Sequence, residues 1–175
     1  MWDAYLEMLE LGYFEVQFAF EGMPDAHVWK RPAEGLLSVG ELAGHIAHWE
    51  ALRLAGDVGL ASETGAAPPE VVNSAVKSLL IAPRFSYYPR MIGTPPSEEQ
   101  RAMTSDQVYK ELVRVHEESV AIFKARNPDP ASTPPGSPQG ATYKEMVKYL
   151  AFHIAYHTGQ MYTVRHLFGE QTPDN

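Results

Sequence analysis

The chain has no cysteine, so disulfides, thiolate metal ligands and cysteine nucleophiles are all excluded. Any metal site must be built from histidine and carboxylates. Basic residues are scarce: 14 Lys and Arg stand against 22 Asp and Glu, giving a formal net charge of −8 and a pI near 5.3. Nucleic acids and anionic membrane surfaces are held by clusters of Lys and Arg, so no nucleic-acid or membrane partner is expected. No apolar run approaches the roughly 20 residues that span a bilayer. The N-terminal MWDAYLEMLELGYF is acidic and amphipathic, unlike the basic and then uniformly apolar start of a secretory signal. A soluble cytoplasmic protein is the expectation. Several motifs are also missing. H-E-x-x-H and E-x-x-H do not occur, which excludes a zincin-type protease and a di-iron bundle. G-x-S-x-G, Walker A and G-x-G-x-x-G strings are absent too, removing the usual signals of serine hydrolases, P-loop enzymes and Rossmann domains.

What is present suits one all-α domain over residues 1–175, since 45% apolar content supplies a single good-sized core. Tyr5, Leu6, Leu9, Tyr13, Val16 and Phe20 recur at helical spacing and predict a helix over residues 3–20, ended by Gly22 and Pro24. Trp29, in the Pro-rich connection that follows, is expected to fold back over the end of the helices, and His27 to lie on the surface. A second helix opens at Ser38, where Ser38 and Glu41 match a capping box, and carries Leu42, His45 or Ile46, Trp49 and Leu52 to a stop at Gly56. Residues 57–103 then lose the pattern, apart from a short helix expected over 69–80. A connection this long is often functional. Its RFSYYPRM segment sets Arg84 and Arg90 among Phe85, Tyr87 and Tyr88, suited to an anionic or aromatic ligand, although packing of the tyrosines onto the helices is the favoured reading.

Thr104 and Gln107 form a second box, opening a helix that runs to about Arg126 along Val108, Leu112, Val115, Ser119 and Ile122. His116, beside that stripe, reads as a boundary or surface residue. After a proline-rich loop at 127–140, Thr142 and Glu145 form a third box before a last helix that ends near Phe168 and Gly169. His166 in its final turn suits the negative end of the helix dipole. Four long amphipathic helices predict a four-helix bundle, and the long connection between the second and third allows a crossover.

The apolar stripe of the last helix is interrupted by His153 and His157. Residues i and i+4 lie roughly 6 Å apart along a helix axis, so both rings can reach one metal ion, with a third ligand from another helix. The spacing alone is weak evidence. A buried neutral imidazole without a partner costs on the order of 1–3 kcal/mol, and either a divalent ion or a hydrogen-bonded pair would relieve it.

SVGELAGHIAHWE at 38–50 and FHIAYHTGQMYTVRHLFG at 152–169 resemble the DinB-like (DinB/YfiT) superfamily: one histidine in the second helix, then H-x-x-x-H with a G-Q pair in the last. The resemblance implies an antiparallel four-helix bundle with a long connection between its second and third helices, frequent homodimers, and a divalent metal held by three histidines. Carried onto this chain, the ligands are His45, His153 and His157. His48 is the reserve, since the family pattern and the place between Leu42 and Trp49 both favour His45. Three neutral imidazoles leave open coordination positions, and Zn²⁺ or Ni²⁺ suits them. Characterised relatives include thiol S-transferases that use mycothiol or bacillithiol, so the resemblance implies a metal-dependent enzyme: S-transfer with a low-molecular-weight thiol, or hydrolysis, on a small-molecule substrate. Gln160, Tyr156, Tyr149 and Glu41 are candidates to orient ligands or substrate, with capping the favoured role for Glu41. The alternative is a non-catalytic bundle whose metal staples helices within an oligomer or stress-response assembly.

Overall fold

The computed structural model of the protein describes residues 2–56, 74–87, 94–137 and 140–173. The regular elements among them are helical: α1 (Asp3–Phe20), the short α2 (Asp25–Val28), α3 (Val39–Glu50), the short α4 (Glu98–Arg101), α5 (Ser105–Arg126) and α6 (Tyr143–Leu167). Extended pairing among the described residues is confined to one antiparallel bridge between Gly56 and Ser74. The starts of α3, α5 and α6 follow the capping chemistry. Ser38 and Glu41 exchange both bonds of a capping box at α3, as Thr104 and Gln107 do at α5. At α6 the Thr142 hydroxyl oxygen accepts the Glu145 N–H, but the Glu145 carboxylate takes the Thr142 hydroxyl and not its backbone N–H, so the third box is half formed.

Helix α3 continues past Glu50 into a π-helical turn, Ala51–Ala55, before Gly56 turns extended. The stop expected at Gly56 therefore comes from a widened turn, not from a left-handed glycine. The described part of the segment expected to be helical over 69–80 is bends and turns. Its remainder, with Tyr88 and Arg90, lies outside the described residues. A single 3₁₀ turn, Pro83–Ser86, follows and lies against α3.

The apolar stripes meet in one core, where Leu6, Leu9 and Val16 of α1, Leu42 and Ile46 of α3, Val108, Leu112 and Val115 of α5, and Met146, Leu150, Ile154 and Met161 of α6 are buried. The expected fold-back of Trp29 occurs: its ring rests on Gly40, where a Cβ would come within 2.7 Å, and its Nε1–H donates to Met103 O at 3.0 Å. The contacts also give the helix directions. Gly12 meets Ile154, and Arg165 Nη1–H donates to Ala19 O, so α1 and α6 run the same way. Glu50 meets His116, and Arg126 reaches Leu54 O, so α3 and α5 do too. Between these pairs the sense reverses: Phe20 lies against Tyr109 and Trp2 against Phe123, while His45 meets His153 and Arg53 meets Tyr149. Only some neighbours are thus antiparallel, and the link from α3 to α5 is the crossover.

His116 departs from its expected boundary position and is 2% exposed. Its Nδ1–H donates to Glu50 Oε1 at 2.6 Å, Glu10 approaches its Nε2 at 3.3 Å, and the Tyr13 ring stacks on it with centroids 3.9 Å apart. Tyr13 also donates its hydroxyl to Glu50 Oε2 at 2.5 Å. Burial alone would lower the His116 pKa, but Glu50 and Glu10 outweigh it and raise the value. Because the folded value lies above the unfolded one, this ion pair stabilises fully below the unfolded value of about 6.5 and fades as pH rises through the folded one. His116→Ala, which leaves Glu50 buried without its cation, is expected to cost about 3 kcal/mol near pH 6. Urea unfolding should show a smaller loss at pH 9, and an equal loss at both would contradict the ion pair.

Candidate metal centre

Helices α3 and α6 run antiparallel, so His45 arrives on one at the level where His153 and His157 project from the other. Their ligand nitrogens all lie within 4.8 Å of one another, and among the described residues no other histidine or carboxylate joins them. The ring centroids are 4.9 Å apart for His45 and His153, 4.6 Å for His45 and His157, and 4.4 Å for His153 and His157. His153 is buried, the other two half-buried.

Two of the rings have their tautomers fixed. A carbonyl can only accept, so the 2.7 Å contact between His45 Nδ1 and Phe85 O makes that nitrogen the donor and leaves Nε2 with a free lone pair. His157 Nδ1–H likewise donates to Gln160 Oε1 at 2.6 Å, freeing its Nε2. The His45 and His153 Nε2 atoms face each other at 3.1 Å. His153 Nδ1 is buried without a hydrogen bond among the described residues.

All three rings are held neutral. Burial, then the neighbouring His157 charge, pushes His45 down to about 3. Burial and the charges of His45 and His157 push His153 lower still, and burial lowers His157 against the pull of Gln160. Neutral imidazoles with convergent lone pairs are the form in which histidine binds divalent ions of intermediate softness. Two nitrogens sharing one tetrahedral ion lie about 3.4 Å apart, so the cluster needs only a modest closing of its rings. The donor set therefore fits such an ion.

His48 is fully buried but sits outside this group, edge-on to the Trp49 ring at 5.2 Å. Neither of its ring nitrogens has a partner among the described residues, and burial, then the Arg53 charge, lowers it to about 4. Of the flanking candidates, Gln160 touches His157 directly, and its Nε2–H reaches the Tyr156 hydroxyl at 3.4 Å. Tyr156 is largely exposed and lies edge-on to His157 at 5.0 Å. Tyr149 sits 6.1 Å from the His153 ring. Glu41 is committed to its cap and to Arg31, whose Nε–H donates to it at 3.0 Å.

Two features near the site carry little signal in the sequence. Phe85 acts through its backbone carbonyl, which any residue could provide. Arg53 is 3% exposed, with its guanidinium 5.1 Å from the Trp49 ring and 4.9 Å from that of Tyr149. It is set there by the π turn, which the helical pattern does not reveal.

Four neutral histidines, two buried and two half-buried, give a pH signature. Because His45, His48, His153 and His157 all have lowered folded values, the unfolded chain takes up protons that the fold refuses. Their contribution holds above the unfolded value of about 6.5 and is lost as pH falls below it, at up to about 1.4 kcal/mol per histidine per pH unit. Urea unfolding of chelator-treated protein should show a steep loss between pH 7 and pH 5, only partly offset by His116. A flat profile would contradict the buried neutral cluster.

No helix among the described residues is long and apolar enough to cross a membrane. Neither the curated proteins nor the solved structures contain a significant match to the chain. Among protein families, the DinB superfamily matches over residues 8–161, a span that takes in α3, the crossover and all three clustered histidines. The chain belongs to the DinB superfamily.

Proposed function

We propose that this protein is a divalent-metal-dependent enzyme of the thiol S-transferase or hydrolase type, with His45, His153 and His157 as its metal ligands. The observation that carries the reading is the convergence of three neutral imidazoles within 4.8 Å, with no carboxylate among the described residues joining them. On this reading α1, α3, α5 and α6 form a four-helix bundle of the DinB type, within one domain over residues 1–175. His45, His153 and His157 would hold a Zn²⁺ or Ni²⁺ ion, which would supply Lewis acidity to lower the pKa of a thiol or water attacking an electrophilic small molecule. The chain's own residues do the rest. Phe85 O and Gln160 orient two of the rings, and the apolar core behind them excludes water. S-transfer needs a reduced low-molecular-weight thiol as co-substrate, which favours a cytoplasmic setting.

Metal analysis of untagged protein should find one ion per chain. His45→Ala, His153→Ala and His157→Ala should each abolish stoichiometric binding, and His48→Ala should retain it. Gln160→Leu, which frees the His157 ring, is expected to weaken binding by roughly 10- to 100-fold. Metal-dependent conjugation of a small thiol to an electrophile would then support the enzyme reading. A metal-loaded protein inert towards both thiol and water nucleophiles would favour a structural ion.

The protein is also read as a homodimer. Between α1 and α6 runs an apolar groove of about 660 Å³, lined by Ala155 with Met8, Leu11 and Phe152, the last three largely exposed. Lys148 and Glu15 line it towards opposite ends, so a two-fold pairing would set each lysine over the other copy's glutamate. Light scattering should find a dimer that Phe152→Glu converts to monomer, whereas a monomeric wild type would sink the proposal.

A further inference from the structure

The seam between α3 and α6 continues past the three histidines. Leu42 stands one turn before His45 on α3, and Gln160 and Val164 follow His157 by one and two turns on α6. Because the two helices are antiparallel, these residues come together on the same side of the cluster, and there they line a cavity of about 280 Å³. The loop before α3 supplies the rest. Its Leu36 N–H donates to Ala33 O at 3.2 Å, and Gly35, at φ 78°, makes the turn that brings Leu36 and Leu37 into the lining. Leu36 and Leu167 line the cavity while remaining 44% and 60% exposed. Both leave apolar surface in water that a ligand would cover.

The chemistry of the lining limits what that ligand can be. Among the described residues it holds no charged and no aromatic side chain. Its two polar side chains are engaged elsewhere: Thr163 donates its hydroxyl to Gly159 O at 2.9 Å, while Gln160 accepts the His157 Nδ1–H and reaches the Tyr156 hydroxyl. What remains for a ligand is aliphatic contact, with no partner for a charge and no ring for stacking. Gln160 belongs to both features, fixing the His157 ring and forming part of the cavity lining. Val164 lies roughly 10 Å along α6 from His157, a span that a medium-length alkyl chain covers.

We propose that this cavity holds an alkyl chain of the metal site's small-molecule substrate, whose reacting atom sits at the three histidines while its chain runs along the seam between α3 and α6. The inference rests on the metal reading above and gives its substrate a class, a lipophilic molecule with an uncharged aliphatic tail.

The test loads the full chain with Co²⁺ and titrates it anaerobically with ethanethiol, butanethiol and hexanethiol, following the thiolate-to-cobalt absorption. Affinity should rise by about 3- to 4-fold for each methylene that enters the cavity, so hexanethiol should bind at least about 10-fold tighter than ethanethiol. Thr163→Trp, which fills the cavity, and Leu36→Asp, which sets a charge beside it, should each remove most of that difference. Both positions are exposed, so the core is spared. Equal affinities across the series in Co²⁺-loaded wild type would overturn this inference alone. So would a chain-length gain that both variants retain, since the chain would then lie elsewhere. Failure of the wild type to take up Co²⁺ would instead defeat the metal reading, and this inference with it.

Discussion

Three uncharged imidazoles turned into an apolar core is the constraint on which the rest of the molecule depends. Imidazole nitrogens buried this way need partners, and here the core offers few. The protein fixes two of the rings from outside the triad, through Phe85 O and Gln160 Oε1, and both bonds turn an Nε2 lone pair inward. Among the described residues no carboxylate joins the three rings to hold a proton on them. The same burial that makes the cluster costly in acid makes it ready for a cation of intermediate softness at neutral pH.

Helix α3 carries two polar insertions of opposite electrostatic character on different faces. Towards α6 it presents His45, whose surroundings favour the neutral ring. Towards α1 and α5 it presents Glu50, 1% exposed, which favours the charged form of His116. One face is therefore stabilised by a buried ion pair, and on the other burial keeps the histidine rings neutral. The crossover from α3 to α5 makes this possible: it sends α5 back alongside α3 in the same direction, and along the way the turn at Pro83–Ser86 is laid over the histidine face.

Much of this was legible in the chain before any coordinates. The helix starts were written in Ser38 with Glu41 and Thr104 with Gln107, because capping chemistry is local. The His153 and His157 pair was legible from spacing, and His45 from its place on the α3 stripe beside a resemblance to DinB-like proteins. The misses share a physical cause, which is dependence on groups far away in sequence or on backbone alone. His116 looked like a surface residue because its partner Glu50 lies 66 residues earlier. Phe85 serves through a carbonyl, and the π turn at Ala51–Ala55 leaves no mark on a 3.6-residue pattern.

The central claim is that the three histidines form the complete protein contribution to one open metal site. X-ray absorption at the zinc edge of the zinc-loaded protein tests it most directly. The account predicts a shell with three imidazoles and one exchangeable light atom, replaced by sulfur when a small thiol is added. A shell with fewer than three imidazoles, or a fourth protein ligand that no thiol displaces, would contradict it.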